Sequence, residues 1–442
     1  PLEISDAVKL LPGHLENKDI IAERLGGHPL ALQMHDENSE LPESGSDLQD
    51  WVEDVVLSRL EEEIKTLDEL SLLPVPVPPE HLQHEQHLLE LDDYALLRWF
   101  ESGVELHHLV RNVRSTMLTK EDYAKAATYW SQLDGDLARL IEMHHILNSE
   151  GDVESLLIRN AESLMIRSSS GLASLIGDAI FRYPTAKLHR IAAIVAIERG
   201  ESDIASEHLL HCDSPDLEYS NSLLKGDVNL KLPESADARL LLSEAARRLD
   251  DRLPGNKIDY NVLDLIENID VSTLTQEMRK VVLVAIAHVK HAWNISNENW
   301  SEASKIRQSL RSISHARDPQ LVAMNLRAEI AQTSSNSPSF EKLIEKAFFH
   351  TGLRAKMLQL SLIERCDEER AKSILKKIEM PSAESQANMA SARRVSAIIW
   401  YYRAIYKTHN PLSAMAEAIA LWKRSLCPGA AKDASQLMHQ ML

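Results

Sequence analysis

The chain is poor in the residues that form turns, strands and covalent cross-links. Its 442 residues include 14 glycines and 3 cysteines, and aromatic side chains make up 5%. Leu, Ala, Glu, Ser and Ile dominate instead, and this mixture favours helices over sheets. Cys212, Cys366 and Cys427 are isolated, which excludes a small disulfide framework and favours a reducing compartment such as the cytoplasm. The composition predicts a mainly α-helical protein.

Long apolar runs and excess positive charge are also missing. The most apolar stretch, Val395–Tyr406, is interrupted by Arg403 and is shorter than the roughly 20 residues of a membrane span. No signal peptide is recognisable. The net charge of −19 repels phosphate backbones, so direct nucleic-acid binding is not expected. Hydrolase signatures such as a Gly-x-Ser-x-Gly elbow are absent, and turnover by this segment alone is not expected.

Breakers and periodicity divide the chain into three predicted segments. Residues 1–40 form a short helical segment, residues 47–130 a compact domain, and residues 131–442 an array of antiparallel helix pairs. The first residue is Pro and the helical pattern begins at once, so the fold is expected to start upstream. Within the compact domain the pattern predicts, in order, a helix over Leu48–Leu73, an extended Pro74–Pro79, helices around Pro79–Leu89 and Asp92–Trp99, a strand at Val104–His107, a helix or strand over Leu109–Thr116, and a helix over Thr119–Trp130.

Three turns in the third segment look alike: 147–155, 197–205 and 295–303. In each, a Gly or Asn is expected to take left-handed geometry at a helix end. A small residue follows, Ser155, Ala205 or Ala303, and is expected to let paired helices pack closely. The array therefore resembles degenerate tetratricopeptide-like repeats of six to eight pairs, with intervals that depart from the usual repeat length of roughly 34 residues.

Two motifs suggest chemistry. Gly26-Gly27-His28-Pro29 closes a predicted helix, with Pro29 ending or kinking it, and the glycines leave space for a flat group such as an adenine. The alternative is that this motif only joins two helices. About eighty residues later comes Leu106-His107-His108-Leu109-Val110-Arg111, where ordinary polar residues at the end of a strand are the alternative reading.

The order of these motifs resembles the lid helices and winged helix of STAND-type signalling ATPases of the NB-ARC and maltose-activator kind. This class includes plant resistance proteins, apoptotic-protease activators and the bacterial maltose-regulon activator. The likeness covers residues 1 to about 130, and the array more loosely resembles the superhelical sensor domains of the family. The segments that carry it are Asp6–Leu11, Gly26–Leu32, Trp51–Leu60, Leu96-Leu97 and Leu106–Arg111.

The resemblance implies a nucleotide role for two residues. In that family the Gly-x-Pro proline packs on adenine and the Met-His-Asp histidine reaches the β-phosphate of ADP, and Pro29 and His107 are the matching positions. Leu106 replaces the family's Met, and His108 replaces its Asp. In the family this Asp orients the structure beside the histidine, so the second change bears on how the closed, ADP-bound state is held. No Gly-Lys pair occurs, so there is no P-loop here. ATP or ADP would be bound through an upstream domain, and slow ATPase activity would belong to the full-length protein.

Metal binding is not expected of this segment. His81, His84 and His87 have a spacing that metal sites use, but they lie in a polar stretch without a cysteine. His208, His211 and Cys212 are separated by leucines that favour a packing face, so a metal there is a minor alternative. The pairs His144-His145 and His288 with His291 follow apolar helices, where histidines at the edge of a core are common.

The leading hypothesis is therefore the regulatory portion of an ATP/ADP switch, whose helical array binds an effector ligand or a protein. Output by analogy would be transcriptional or through oligomerisation of the active state. The runner-up is a nucleotide-independent helical-repeat scaffold for protein partners. The apolar, aromatic helix around Ile398–Tyr406 is either a buried helix closing the array or a partner groove.

Overall fold

A computed structural model describes residues 2–27, 29–35, 41, 60–258, 261–267, 269–272, 274, 276–311 and 318–441. Over these residues the protein is mainly α-helical, as the composition predicts. The chain divides into two compact units, Pro1–Leu164 and Met165–Leu442, which we call unit 1 and unit 2. None of the helices in the described ranges combines the length and apolar character needed to cross a bilayer.

Unit 1 begins with three short helices, α1 (Ile4–Leu10), α2 (Lys18–Arg24) and α3 (Pro29–Met34). Gly26 and Gly27 follow α2 with φ values of 59° and 63°. The Leu2 amide donates to the Gly27 carbonyl at 2.8 Å, and a Cβ on Gly27 would lie 2.3 Å from the Leu2 oxygen. Only glycine tolerates both the left-handed backbone and this approach.

The prediction that Pro29 ends or kinks a helix is wrong, because Pro29 begins α3. Proline suits the first turn, where its missing amide hydrogen would have no partner inside the helix. Ala31 and Leu32 in the same helix are buried in the core of unit 1.

A winged-helix domain follows, as predicted. Its elements are α4 (Ile64–Leu72), α5 (Leu88–Asp93), β1 (Leu97–Phe100), β2 (Gly103–Leu106), α6 (His108–Ser115) and α7 (Lys120–Trp130). β1 and β2 are antiparallel, with Leu97 opposite Leu106. Val77, from the extended proline-rich segment, adds a bridge to Val104. Glycine at 103 is required there, since a Cβ would lie 2.1 Å from the Val77 carbonyl.

Two sequence predictions for this domain are wrong. The helix predicted around Asp92–Trp99 ends at Asp93, because Ala95 takes a positive φ of 58° and Leu97 pairs with the second strand. The helix predicted around Pro79–Leu89 consists of short 3₁₀ turns at Pro79–His81 and Glu85–His87. The first part of the predicted helix Leu48–Leu73 lies outside the described residues.

Helix pairs make up the rest of the chain. Many of the helices pack against the next one along the chain, such as those at Ala186–Arg199 and Ser202–Leu209, as in a repeat array. Their bounds are α8 (Asp136–Asn148), α9 (Glu154–Arg182), α10 (Ala186–Arg199), α11 (Ser202–Leu209), α12 (Pro215–Leu224), α13 (Ala238–Asp250), α14 (Asn261–Glu267), α15 (Gln276–Ser296), α16 (Trp300–Leu310), α17 (Pro319–Gln332), α18 (Pro338–Phe349), α19 (Gly352–Ile363), α20 (Glu368–Lys377), α21 (Ala383–Asn388), α22 (Ala390–Ile405), α23 (Pro411–Lys423) and α24 (Pro428–Met441).

The three similar turns share one hydrogen-bond pattern. Each helix ends with an amide that reaches back five residues to a carbonyl: Gly151 to Ile146, Glu201 to Ala196 and Asn299 to Asn294, at 2.7–2.8 Å. This 6→1 bond satisfies a carbonyl that the helix end leaves open. The left-handed residue is Gly200 in one turn but Glu150 and Glu298 in the others, so the predicted preference for Gly or Asn is wrong at two of the turns.

The small residues after these turns have different surroundings. Ala205 and Ala303 are fully buried, as close helix packing requires. Ser155 is exposed, and Val153 fills the buried position in its turn. The prediction for Ser155 is therefore wrong, because the buried position of its turn lies two residues earlier.

Three helix ends in unit 2 meet at one buried guanidinium. Arg393, with none of its surface exposed, donates to the carbonyls of Arg424 at 2.9 Å, Gln386 at 2.8 Å and Ala387 at 3.1 Å, and also to that of Glu198. These carbonyls belong to the ends of α10, α21 and α23. A cation there satisfies open carbonyls and complements the negative ends of three helix dipoles.

Replacing Arg393 by Gln is expected to lower the free energy of unfolding by about 3–5 kcal/mol, because several buried carbonyls lose their donor. Arg424→Gln is the matched control, since Arg424 is exposed and donates to one helix-end carbonyl, that of Arg199 at 3.3 Å. Urea unfolding followed by circular dichroism measures both variants. Equal losses in the two variants would show that the buried guanidinium of Arg393 contributes no more to the free energy of unfolding than the exposed one of Arg424.

Candidate functional site

Pro29 lies at the surface of unit 1. It is exposed at the start of α3, immediately after the glycine turn that ends α2. Ala31 and Leu32, 1% and 0% exposed, anchor the helix in the core, so the proline stands beside a firmly packed segment. The surface position leaves its ring accessible to a flat ligand.

His107 joins the second strand of the wing to α6. Its amide donates to the Leu96 carbonyl at 2.7 Å, and its own carbonyl accepts from Arg111 at 3.0 Å. The half-buried ring lies against that of His108, with 4.6 Å between centroids. Leu106 and Val110 on either side are buried, so the backbone around the histidine is held on both sides.

The segments that carry Pro29 and His107 share one core. Leu32 and Leu106 both belong to the apolar cluster of unit 1. This places a lid helix and the wing in the same compact unit. That the two side chains contact one nucleotide stays a prediction.

A cavity of about 320 Å³ lies within unit 2. Its walls come from α13, α15, α17, α19 and α22, which contribute apolar side chains including Leu249, Met324, Met357 and Ile398. Pockets of roughly 300–1,000 Å³ accommodate small organic ligands. The cavity is therefore large enough for a small molecule.

Four arginines line this cavity: Arg252, Arg327, Arg354 and Arg394. Their charges exceed those of the two carboxylates that share the lining, Asp250 and Glu364. Both carboxylates are engaged, since Asp250 accepts from Arg394 at 3.2 Å and Glu364 accepts from the Tyr402 hydroxyl at 3.1 Å.

The guanidinium groups of the four arginines differ in their partners. Arg252 donates to the Leu249 carbonyl at 3.1 Å, and Arg394 is held by Asp250. Arg327 and Arg354 form neither a hydrogen bond nor an ion pair with the described part of the chain. Arg327 is half-buried and Arg354 is largely exposed. Two guanidiniums thus line the cavity without an acceptor among the described residues.

The histidines of the cavity are neutral at pH 7. Burial, followed by the charge of Arg327, lowers the pKa of His288 to about 4. Burial, then Arg307 and Arg327, lowers the pKa of His291 to about 3. Arg307 donates to Nε2 of His291 at 2.9 Å, as a neutral imidazole allows. The positive potential of the cavity is therefore carried by its arginines.

A second, more polar cavity of about 600 Å³ adjoins the first. The two share Arg252, Arg327, Ser361 and Glu364 in their linings. Asn256, Ser296 and Gln332 belong to the second lining alone. An apolar chamber and a polar chamber thus meet at a charged boundary.

The sequence did not identify Arg327 and Arg354 as site residues. Each stands alone on a separate helix, and only the packing of α17 beside α19 brings them to one cavity. His288 and His291 were predicted as residues at the edge of a core, and they are also part of the cavity lining. The only feature of the sequence that could have indicated these two residues is an arginine between apolar neighbours.

The other histidine groups have structural surroundings. His81 lies edge-on to Trp130 at 6.4 Å between ring centroids, and the His84 amide donates to Glu69 at 2.7 Å. His208 lies near His189, with 3.1 Å between their Nδ1 atoms. Within the described ranges, no three His, Cys, Asp or Glu side chains are grouped so that they could hold a metal ion.

The aromatic helix, part of α22, is largely buried. Ile399 and Tyr402 are 0% and 5% exposed and belong to the large core of unit 2. This favours a packing role over a partner groove for most of the helix. Ile398, at its edge, also contacts the cavity.

Comparison with known proteins gave one similar structure. No protein-family model matches the chain. No curated protein matches it. Among solved structures, the chain is similar to a STAND protein with a tetratricopeptide repeat sensor from Pyrococcus horikoshii, with a TM-score of 0.45 and 13% sequence identity. The match covers 100% of this chain and 66% of that protein's chain, so this chain spans less than two thirds of its length.

Substituting the cavity arginines is expected to change the titration of the histidines selectively. Arg327→Gln should raise the pKa of both His288 and His291, because Arg327 disfavours the charged form of each. Arg354→Gln is the matched control and should raise the pKa of His288 alone. NMR titration of the imidazole Cε1 protons measures the shifts. Unchanged values for both histidines in Arg327→Gln would contradict the geometry of the cavity.

Proposed function

We propose that the chain is the sensing and lid portion of a STAND-type ATP/ADP switch in the cytoplasm, and that its helical array binds an effector. The observation that carries this proposal is the ligand-sized cavity in unit 2, two of whose lining arginines, Arg327 and Arg354, have no acceptor in the described part of the chain. The order of lid helices, winged helix and helical array supports it. An upstream domain would supply the P-loop that these residues lack.

In the proposed closed state, the lid and wing fold over ADP. Pro29 packs on the adenine, and an imidazole nitrogen of His107 donates to the β-phosphate. Such a bond gains charge assistance from the phosphate and exists only while the wing is docked. His107 would thus stabilise the ADP form without taking part in hydrolysis.

The effector would open the switch only through differential affinity. A ligand that binds the open form better than the closed form shifts the balance by the ratio of its two affinities. The array would therefore have different cavity contacts in the two states. Control of transcription, or assembly of the open form into oligomers, would be the output.

A nucleotide-independent scaffold for protein partners is the second candidate function. One observation favours it: the Gly27 backbone already serves a local purpose, because it joins α2 to α3 and accepts from Leu2. On this interpretation Pro29 only starts a helix. The two candidates differ in whether the intact protein retains nucleotide.

Loss of the His107 imidazole is expected to weaken ADP retention. In a longer protein that places a nucleotide-binding domain before this chain, His107→Ala should lose about 1.5–3 kcal/mol of binding energy, which is roughly a 10- to 100-fold increase in Kd. Chromatographic analysis of released nucleotide, followed by calorimetry with ADP, measures it. His108→Ala is compared in parallel: the exposed His108 ring lies against that of His107 but is not at the position of the family histidine, so His107→Ala should weaken retention more.

Two results would overturn the switch. One is a full-length protein without any P-loop, which would leave the scaffold as the function. The other is ADP retention that is the same in His107→Ala, His108→Ala and the wild type, which would remove His107 from the mechanism.

A further inference from the structure

We propose that the two adjoining cavities of unit 2 bind a small amphipathic organic anion, with its apolar body in the first cavity and its anionic group on Arg327 and Arg354. This inference rests on the proposed function, since it names the chemical class of the effector. The anionic group is a carboxylate or a phosphate, because both accept the forked donors of a guanidinium.

The first argument is the contrast between these two arginines and others in unit 2. Buried Arg247 donates to both oxygens of Glu244 at 2.7 Å and is also bonded to Asp251. Arg393 donates to helix-end carbonyls. Arg327 and Arg354, by comparison, have no acceptor among the described residues. Arg327 is half-buried, and a guanidinium partly removed from water is normally paired, so an external acceptor is expected for it. Arg354 is exposed and lines the same cavity, where it can add a second donor.

The second argument is the electrostatics of the lining. Asp250 and Glu364 already accept hydrogen bonds from Arg394 and Tyr402. Neither carboxylate is bonded to Arg327 or Arg354. The charge of Arg327 disfavours protonation of His288 and His291. Burial lowers the pKa of Arg252, the Glu364 carboxylate opposes this shift, and Arg327 adds to it. A bound anion would relieve this repulsion, whereas a cation would increase it.

The third argument is the apolar wall. Ile258, Met324, Met357 and Ile398 line the first cavity. Methionine side chains adapt to ligands of different shape, which suits a hydrocarbon or aromatic body. An inorganic anion would leave this wall without a partner. The cavity volume of about 320 Å³ also favours a small molecule over a protein segment.

The position of the anionic group follows from the shared lining. Arg327, together with Arg252 and Ser361, borders both cavities. An anion at this boundary would reach Arg327 from the apolar side and keep its remaining oxygens near the polar chamber. Arg354, which belongs to the first lining only, would approach from α19.

The test uses two fluorescent probes with the same kind of apolar body. Anilinonaphthalene sulfonate carries a negative charge, and N-phenyl-1-naphthylamine is its uncharged counterpart. The wild-type chain should bind the sulfonate at one saturable site. The double variant Arg327→Gln/Arg354→Gln should bind it about tenfold or more weakly, as the loss of charge-assisted hydrogen bonds implies, with unchanged affinity for the neutral probe.

Lys342→Gln/Lys376→Gln is the matched control. It removes the same charge from two exposed positions outside both cavities and should leave sulfonate binding unchanged. Circular dichroism and Tm establish that each variant is folded. Should the double variant fail to fold, Arg354→Gln alone serves, because its exposed side chain forms no hydrogen bond or ion pair with the residues that the structure describes.

Displacement of the sulfonate then identifies the anionic group. Dodecanoate and dodecyl phosphate should compete and dodecanol should not, and the stronger of the two anions distinguishes carboxylate from phosphate. The proposal is overturned if the neutral probe binds the wild type as tightly as the sulfonate, if dodecanol competes equally, or if the arginine variants retain full sulfonate affinity. Binding to this chain without any effect on ADP retention in the longer protein would leave the ligand class standing and refute only the switch.

Discussion

The arrangement of unit 2 depends on the fully buried guanidinium of Arg393. It occupies the point where the ends of α10, α21 and α23 meet, and it donates to carbonyls that those ends leave open. Its partners lie far apart in sequence, from Glu198 to Arg424, so one side chain holds together the first and last parts of the unit. Burial lowers its pKa to about 10, and it still carries its charge at pH 7. Three helix dipoles offset the cost of that buried charge.

The next residue extends this arrangement to the cavity. Arg394, adjacent in α22, donates to Asp250 at the end of α13 and lines the cavity beside His288. The position of the cavity wall is therefore coupled to the helix ends that Arg393 holds together. Any ligand that shifts α13 or α22 has to work against this network, which is how binding in a helical array can reach distant helix ends.

Unit 1 contains both candidate nucleotide contacts, His107 on a hydrogen-bonded backbone and Pro29 at the surface. The backbone of His107 is held by Leu96 and Arg111, while its ring remains half-buried beside His108. Pro29 begins a helix whose Ala31 and Leu32 side chains lie in the core. A side chain held on such a scaffold can act as a contact that forms and breaks as a whole domain moves, with little local rearrangement.

Interactions between residues close in sequence were enough to predict much of the secondary structure of this protein. The helix-rich composition, the alternation at Val104–His107 and the breakers after Arg24 predicted the fold class, the second wing strand and the end of α2, because each depends on residues close in sequence. Tertiary structure decided the rest. Leu97 is in a strand because Leu106 is opposite it, and Glu150 takes the left-handed position because the 6→1 bond of its turn requires one there. Arg327 and Arg354 form a candidate site only because α17 and α19 pack together, and no single-sequence pattern encodes which distant side chains a superhelix brings to one cavity.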